Sequence, residues 1–346
     1  MELQRCIYCT EVMLADGESG DARLRPSREH IIPSALGGPD ALCTFDVCQG
    51  CNSTLGKTTD GDLMRENIVA IVRQRFDMPG YSGKVPDVVM PATSMQTGAA
   101  FEMRIPAAGD VVYHAPPQVT SKTLPDGNES FSVRGTAAQV EAIVKGKKAK
   151  IERAGWRMLH PDGSLLTSVE DSIAAAVAEE TTEFNARFTY NQIPIWRGLI
   201  KTAFNFAHDV LGDQWTFSPA AQPVRDAALG RGDDASVAAL VSGVRIEIRD
   251  LMLRDEPEKE TRHLIAMLPQ DESIVVVSLA GEALLTTAVR IDVSPRQWEI
   301  GLAKSNRMMV SSLAKGGGVR WLTPEEFVAR LAAGGEENAE PPAGEA

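Results

Sequence analysis

Apolar positions recur at helical spacing along several stretches of the chain. Leu63, Ile68, Ile71, Val72 and Phe76 predict a helix over about residues 60–76, and Met78-Pro79-Gly80 ends it. A short helix is expected from Thr136 to Lys145, and a longer one from Ile173 to about Phe188. Leu199, Ile200, Ala203, Phe204, Ala207 and Leu211 form the apolar face of another helix. Pro194 suits its start and Gly212 its stop. Thr323-Pro324-Glu325-Glu326 reads as a capped helix start, with the helix running to about Leu331.

Other stretches alternate or run apolar in the way strands do. Asp87–Met90, Ala100–Ile105, Val111–His114 and Ser130–Arg134 are the first set, with Pro125-Asp126-Gly127-Asn128 as a turn. Val244–Ile248, His263–Leu268, Ile274–Leu279 and Leu284–Ile291 predict a β-meander. The fold class is therefore α+β. Composition shifts divide the chain into residues 1–78, a mixed α+β region over 79–333, and a Gly-, Glu-, Pro- and Ala-rich tail over 334–346. That tail cannot bury apolar surface and is expected to be disordered.

Composition narrows the function. The 346 residues carry a net charge of −12. That argues against a protein that coats nucleic acid along a broad basic face, since such affinity comes from neutralising phosphates. It leaves room for an enzyme with a local positive site. No apolar leader and no stretch long enough to span a bilayer is seen, so a cytoplasmic location is the expectation.

Cysteine usage changes the picture most. All five cysteines lie in the first 51 residues. Cys6-Ile7-Tyr8-Cys9 and Cys48-Gln49-Gly50-Cys51 are two C-x-x-C knuckles separated by 38 residues. Four thiolates so spaced can close a tetrahedral structural Zn²⁺ site, which would stabilise a module with little core of its own. Cys43 is left over and reads as a small buried residue.

Between the knuckles lies Glu29-His30-Ile31-Ile32-Pro33, then Gly37-Gly38, and Asn52 follows the last cysteine directly. This arrangement resembles the HNH endonucleases, and within them the branch braced by a four-cysteine zinc site. The resemblance covers about residues 4–62. It implies a ββα-metal, or treble-clef, fold and hydrolysis of a phosphodiester, with DNA the expected substrate. By the resemblance, His30 is the general base, while Glu29 and Asn52 hold a catalytic Mg²⁺ or Mn²⁺. Cys6, Cys9, Cys48 and Cys51 hold zinc.

One departure stands out. Many members carry an asparagine in the loop before the second knuckle, where it holds the catalytic histidine. Here that stretch reads Ala41-Leu42-Cys43-Thr44-Phe45-Asp46, so Thr44 or a backbone carbonyl is expected to orient His30. Asp60 and Asp62 are expected to cap the next helix. Neighbours on a strand face opposite ways, so Glu29 and His30 converge on one phosphate only if the strand twists or ends there.

Residues 1–80 hold 8 basic and 12 acidic residues, a poor surface for capturing nucleic acid unaided. Residues 145–157 are different: six basic residues stand against one acidic. Lys145, Lys147, Lys148 and Lys150 are candidate phosphate contacts there, with Trp156 a candidate stacking partner; a solvated surface would look the same. The large acidic region beyond residue 78 suits a regulatory partner or ligand. The competing reading of the whole is a catalytically inactive treble clef that binds nucleic acid or a protein.

Overall fold

A computed structural model describes residues 4–15, 17–80, 82–95, 98, 100–114, 117–124, 129–134, 137–155, 157, 184–244, 249–250, 252–253, 256, 261–268, 273–305, 307–314 and 318–329. The protein is mixed α+β, and its N-terminal cysteine cluster, strands and helix make a ββα-metal module. Its compact units are residues 1–86 with 190–346, and residues 87–189. The segment expected to be the first module thus packs in one unit with the C-terminal half.

The module opens with a knuckle hairpin, closed by a bridge between Arg5 and Val12. Strands β1 (Pro26–His30) and β2 (Cys43–Cys48) pair antiparallel, and helix α1 (Gln49–Lys57) follows without a loop. The register shifts midway, because Phe45 and Asp46 oppose the single residue Arg28. This is a β-bulge, a device that re-aims side chains. Arg28's carbonyl instead accepts a hydrogen bond from Asn52 Nδ2 on α1 at 2.8 Å. Asn52 Nδ2 also donates to Ser27 Oγ at 2.8 Å, so one amide ties α1 to the bulge.

The helix expected over residues 60–76 is two helices, α2 (Thr59–Arg65) and α3 (Asn67–Arg75). Glu66 between them is extended, with φ −70° and ψ 133°. Its carboxylate accepts from the Asn191 backbone N–H at 2.8 Å, a tertiary partner that apolar spacing cannot reveal.

In the other unit, β3 (Val88–Ser94), β4 (Ala100–Ile105), β5 (Val112–His114) and β8 (Phe184–Ala186) make a four-stranded sheet in the order β5-β4-β3-β8. Strands β6 (Gln118–Thr123) and β7 (Glu129–Arg134) form a hairpin. Helix α4 spans Ala137–Arg153, eight residues past its expected end at Lys145. Most of the helix expected over 173–188 lies outside the described residues, and its end, 184–186, is strand β8.

Helix α5 (Gln192–Leu211) is the spine of the first unit. Asn191 caps it, its side chain accepting from the Ile193 N–H at 3.1 Å. Shorter helices α6 (Asp213–Thr216), α7 (Gln222–Ala228) and α8 (Asp234–Ala239) follow. Strands β9 (Val241–Ser242), β10 (Arg262–Leu268), β11 (Ile274–Ser278), β12 (Thr286–Arg290), β13 (Met309–Leu313) and β14 (Arg320–Leu322) form an antiparallel sheet ordered β14-β13-β10-β11-β12-β9. Helix α9 (Pro295–Ser305) lies between β12 and β13 in the chain. The expected strand at 244–248 lies mostly outside the described residues, as does the tail at 334–346.

Leu199, Ala203, Phe204 and Ala207 of α5 share one buried cluster with Cys6, Ile7, Tyr8 and Leu63 of the module, and with Ile265, Val275 and Val277 of the sheet. The sheet's other face carries Leu264, Ala266 and Val276 into a second cluster with Met252 and Phe327. Burial on both faces explains why these strands read as unbroken apolar runs. Among the described residues no helix is long and apolar enough to cross a membrane.

Candidate active site and metal centre

The knuckles come together as expected. The sulfurs of Cys6, Cys9, Cys48 and Cys51 all lie within 4.8 Å of one another, and the Cys9 and Cys48 sulfurs are 3.8 Å apart. Tetrahedral zinc with ordinary Zn–S bonds separates its sulfurs by about 3.8 Å, so the cluster fits Zn²⁺. Backbone amides already point at the sulfurs: Cys48 N–H donates to Cys6 Sγ at 3.3 Å and Cys51 N–H to Cys48 Sγ at 3.4 Å. The Cys51 contact draws the Cys6 thiol down to about 5, and burial pushes Cys9 up to about 11. Cys43 stands apart, its thiol turned to the Asp40 carbonyl at 3.1 Å.

His30 ends β1, opposite Cys43. Its Nε2 is 3.0 Å from Asp40 Oδ1. A carboxylate only accepts, so Nε2 carries the hydrogen and Nδ1 keeps the lone pair. Asp40 is also paired with Arg28 at 3.1 Å, and its carboxyl is held below the usual value by the His30 hydrogen bond first and the Arg28 charge second. The glycine turn brings Asp40 there. Gly37 has φ 79°, and a Cβ on Gly38 would stand 1.9 Å from the Ile32 carbonyl oxygen, so only glycine allows the chain to double back. Thr44, expected to orient the imidazole, bonds Asp46 instead.

Glu29 faces the other way. It is 3% exposed and ion-paired with Lys201 of α5, itself 1% exposed. Lys201 Nζ reaches Asp60 Oδ1 and Oδ2 at 3.1 and 3.0 Å and the His30 carbonyl oxygen at 3.4 Å. Asp60 therefore holds a lysine rather than only starting a helix. Asn205 Nδ2 lies 3.5 Å from Glu29 Oε1, and Tyr8 of the first knuckle donates its hydroxyl hydrogen to Asn205 Oδ1 at 2.6 Å. A polar chain thus runs from the zinc knuckle to Glu29. Burial raises the Glu29 carboxyl above its ordinary value against the pull of Lys201. Burial alone would lower the Lys201 ammonium, but Asp60 and Glu29 more than reverse it and it stays above the ordinary value.

Of the expected ligands of a catalytic divalent ion, Glu29 is therefore turned away from the open side that His30 faces. Glu29 is closed by an ammonium, while Asn52 donates its amide hydrogens to Ser27 and Arg28, bonds that leave its Oδ1, the atom that would meet an ion, uncommitted. As arranged, Glu29 is satisfied by an internal cation and offers no open position to a divalent ion.

Apolar periodicity does not single out Lys201, Asn205 and His208, although they are spaced i, i+4, i+7 along α5. That spacing puts them on one face. All three are buried and all meet the module, His208 through Asp46 at 3.0 Å. Asp40 had only one signal, its place after the Gly37-Gly38 turn. The lysines of the basic stretch lie on α4, where 100° per residue spreads them around the helix. Lys145 is ion-paired with Glu141, and Lys147 sits 4.5 Å from the centre of the Phe131 ring. Trp156 lies outside the described residues.

Residues 6–68 match the family model described as HNH endonuclease. No curated protein and no solved structure matches the chain. The matched segment begins at the first zinc-knuckle cysteine, contains Glu29, His30, Asp40, Asn52 and Asp60, and stops well short of Lys201. In its N-terminal ββα-metal module, the chain carries an HNH endonuclease domain.

Proposed function

We propose that this protein is an endonuclease that hydrolyses phosphodiester bonds, DNA first among its substrates, with His30 as the general base. The observation that supports this best is the His30–Asp40 contact. It fixes the tautomer of the neutral ring and leaves the Nδ1 lone pair as the proton acceptor. In the proposed step a water oxygen bonds to phosphorus while its proton passes to His30 Nδ1. The bond from phosphorus to the leaving oxygen breaks, and that oxygen takes a proton from solvent. Asp40, here on an exposed loop, takes the place of the carboxylate of a hydrolase triad and stabilises the imidazolium so formed. Arg28, half exposed beside Asp40, supplies positive charge for the phosphate.

The four cysteines would hold structural Zn²⁺, fixing the knuckle to which β2 and α1 are joined. A requirement for Mg²⁺ or Mn²⁺ is part of the proposal because the family resemblance carries it, but no step above passes through that ion. The closure of Glu29 by Lys201 favours a second reading, an inactive treble clef that only binds nucleic acid or a protein. Zinc-loaded full chain, offered plasmid DNA and single-stranded RNA with Mg²⁺ or Mn²⁺, separates the two. Cleavage of DNA supports the proposal. Binding of either nucleic acid with no cleavage under either ion supports the second reading.

A further inference from the structure

We propose that Lys201 is the resident cation of this site: a positioning residue, supplied from outside the family-matched segment, that stands between Glu29 and Asp60 and anchors the end of β1. Three acceptors surround its ammonium, namely the Glu29 carboxylate, the Asp60 carboxylate and the His30 carbonyl oxygen. An ammonium has three hydrogens to give, so the set is complete. The partners come from two elements, β1 and α2, and the lysine from a third, α5, so a single side chain fixes the mutual placing of all three.

Burial makes the arrangement specific. Side-chain exposure is 1% for Lys201, 4% for Glu29 and 19% for Asp60. Charges so buried persist only when paired and hydrogen-bonded, and removing one partner strands the others. Glu29 is further held by Asn205, which Tyr8 of the zinc knuckle orients in turn. The neighbouring contacts of α5 with the module repeat the theme, with His208 on Asp46. The chain therefore uses an internal ammonium at Glu29, the position where the family resemblance places a divalent ion. Glu29 becomes an anchor for the strand that presents His30, and the C-terminal half becomes part of the site.

For its catalytic consequence the inference rests on His30 being the base. Its test reads metal binding, which needs no cleavage, so failure of one reading is distinguishable from failure of the other. Mn²⁺ binding is titrated by electron paramagnetic resonance on zinc-loaded full chain, as wild type, Glu29→Gln, Lys201→Met and Lys201→Met/Glu29→Gln. The expected result is that Glu29→Gln leaves wild-type Mn²⁺ binding unchanged. Lys201→Met gains one bound Mn²⁺ per chain, because the stranded carboxylates recruit a cation, and the double variant loses it again. Should Lys201→Met fail to fold, Lys201→Met/Glu29→Gln/Asp60→Asn, which removes all the charges together, is expected to fold and to gain no Mn²⁺. A wild-type Mn²⁺ site that disappears in Glu29→Gln overturns the proposal, as does a folded Lys201→Met that gains no ion.

Discussion

Glu29 and His30 are consecutive on β1, yet their side chains serve opposite faces: Glu29 is buried on Lys201, and His30 turns to the exposed Asp40. The alternation of a strand accounts for this, and the bulge at Arg28 lies before it, so it does not undo it. One face of the hairpin locks the module to α5. The other presents an imidazole with its tautomer set.

Asp40 orients His30 from an exposed loop. Asp40→Asn keeps the size but weakens the acceptor and the charge behind the imidazole. Cleavage is expected to fall roughly 10- to 100-fold with zinc content unchanged. A steady-state cleavage rate checks this, and an unaltered rate would remove Asp40 from the mechanism.

Much of this site was legible in the residues. The knuckles announced the four-cysteine cluster, and Glu29-His30 with Asn52 announced the module, because short sequence motifs carry both. Residues whose role depends on distant partners were not legible. Glu66 breaks a helix to serve Asn191, Asp40 arrives through a glycine turn, and Lys201 lies 141 residues from Asp60. Apolar periodicity located α5 and strands β10, β11 and β12 well, but not the shorter or outer strands β9, β13 and β14. It missed the polar stripe on α5, which shows only as Lys201, Asn205 and His208 interrupting an apolar face.

The module leans on α5 for stability. A Cβ on Gly198 would lie 2.5 Å from Leu63 Cδ2 and 3.2 Å from its Cγ, so α2 and α5 approach so closely there that any larger residue must displace the buried Leu63 side chain. Gly198→Ala is expected to destabilise the fold by about 1–3 kcal/mol through overpacking. Chemical denaturation measures the loss. For the same reason, residues 1–80 expressed alone should fail to give a cooperative unfolding transition even with zinc. A cooperative zinc-loaded fragment would show that the module stands by itself.

Zinc removal should act on structure before chemistry. Stripping the metal with a strong chelator, or replacing Cys48 by Ala, is expected to abolish zinc binding and to loosen the β1–β2 hairpin. Hydrogen exchange over residues 26–48 reads the effect. Unchanged protection in the metal-free chain would mean that the cysteines do not brace the hairpin.

His263 gives the fold an acid limit. It is fully buried in β10, where its Nδ1 accepts from the Ala280 N–H at 3.0 Å, and burial lowers its pKa to about 4. The unfolded chain takes up this proton below its ordinary value of 6.5, while the folded chain refuses it until about 4. Stability is therefore full above pH 6.5 and falls as pH drops through that window, by up to about 3 kcal/mol. His263→Leu should flatten the slope whatever its effect on total stability. An identical slope in the variant would assign the acid sensitivity to other groups.

Whether His30 activates water for phosphodiester hydrolysis is decided by a plasmid-cleavage comparison. Supercoiled plasmid is incubated with zinc-loaded full chain and Mg²⁺ or Mn²⁺, as wild type and as His30→Ala, with zinc content and unfolding curves matched. Wild type is expected to give nicked or linear DNA and His30→Ala none. Equal cleavage by both proteins, or no cleavage by wild type under either ion, would contradict it.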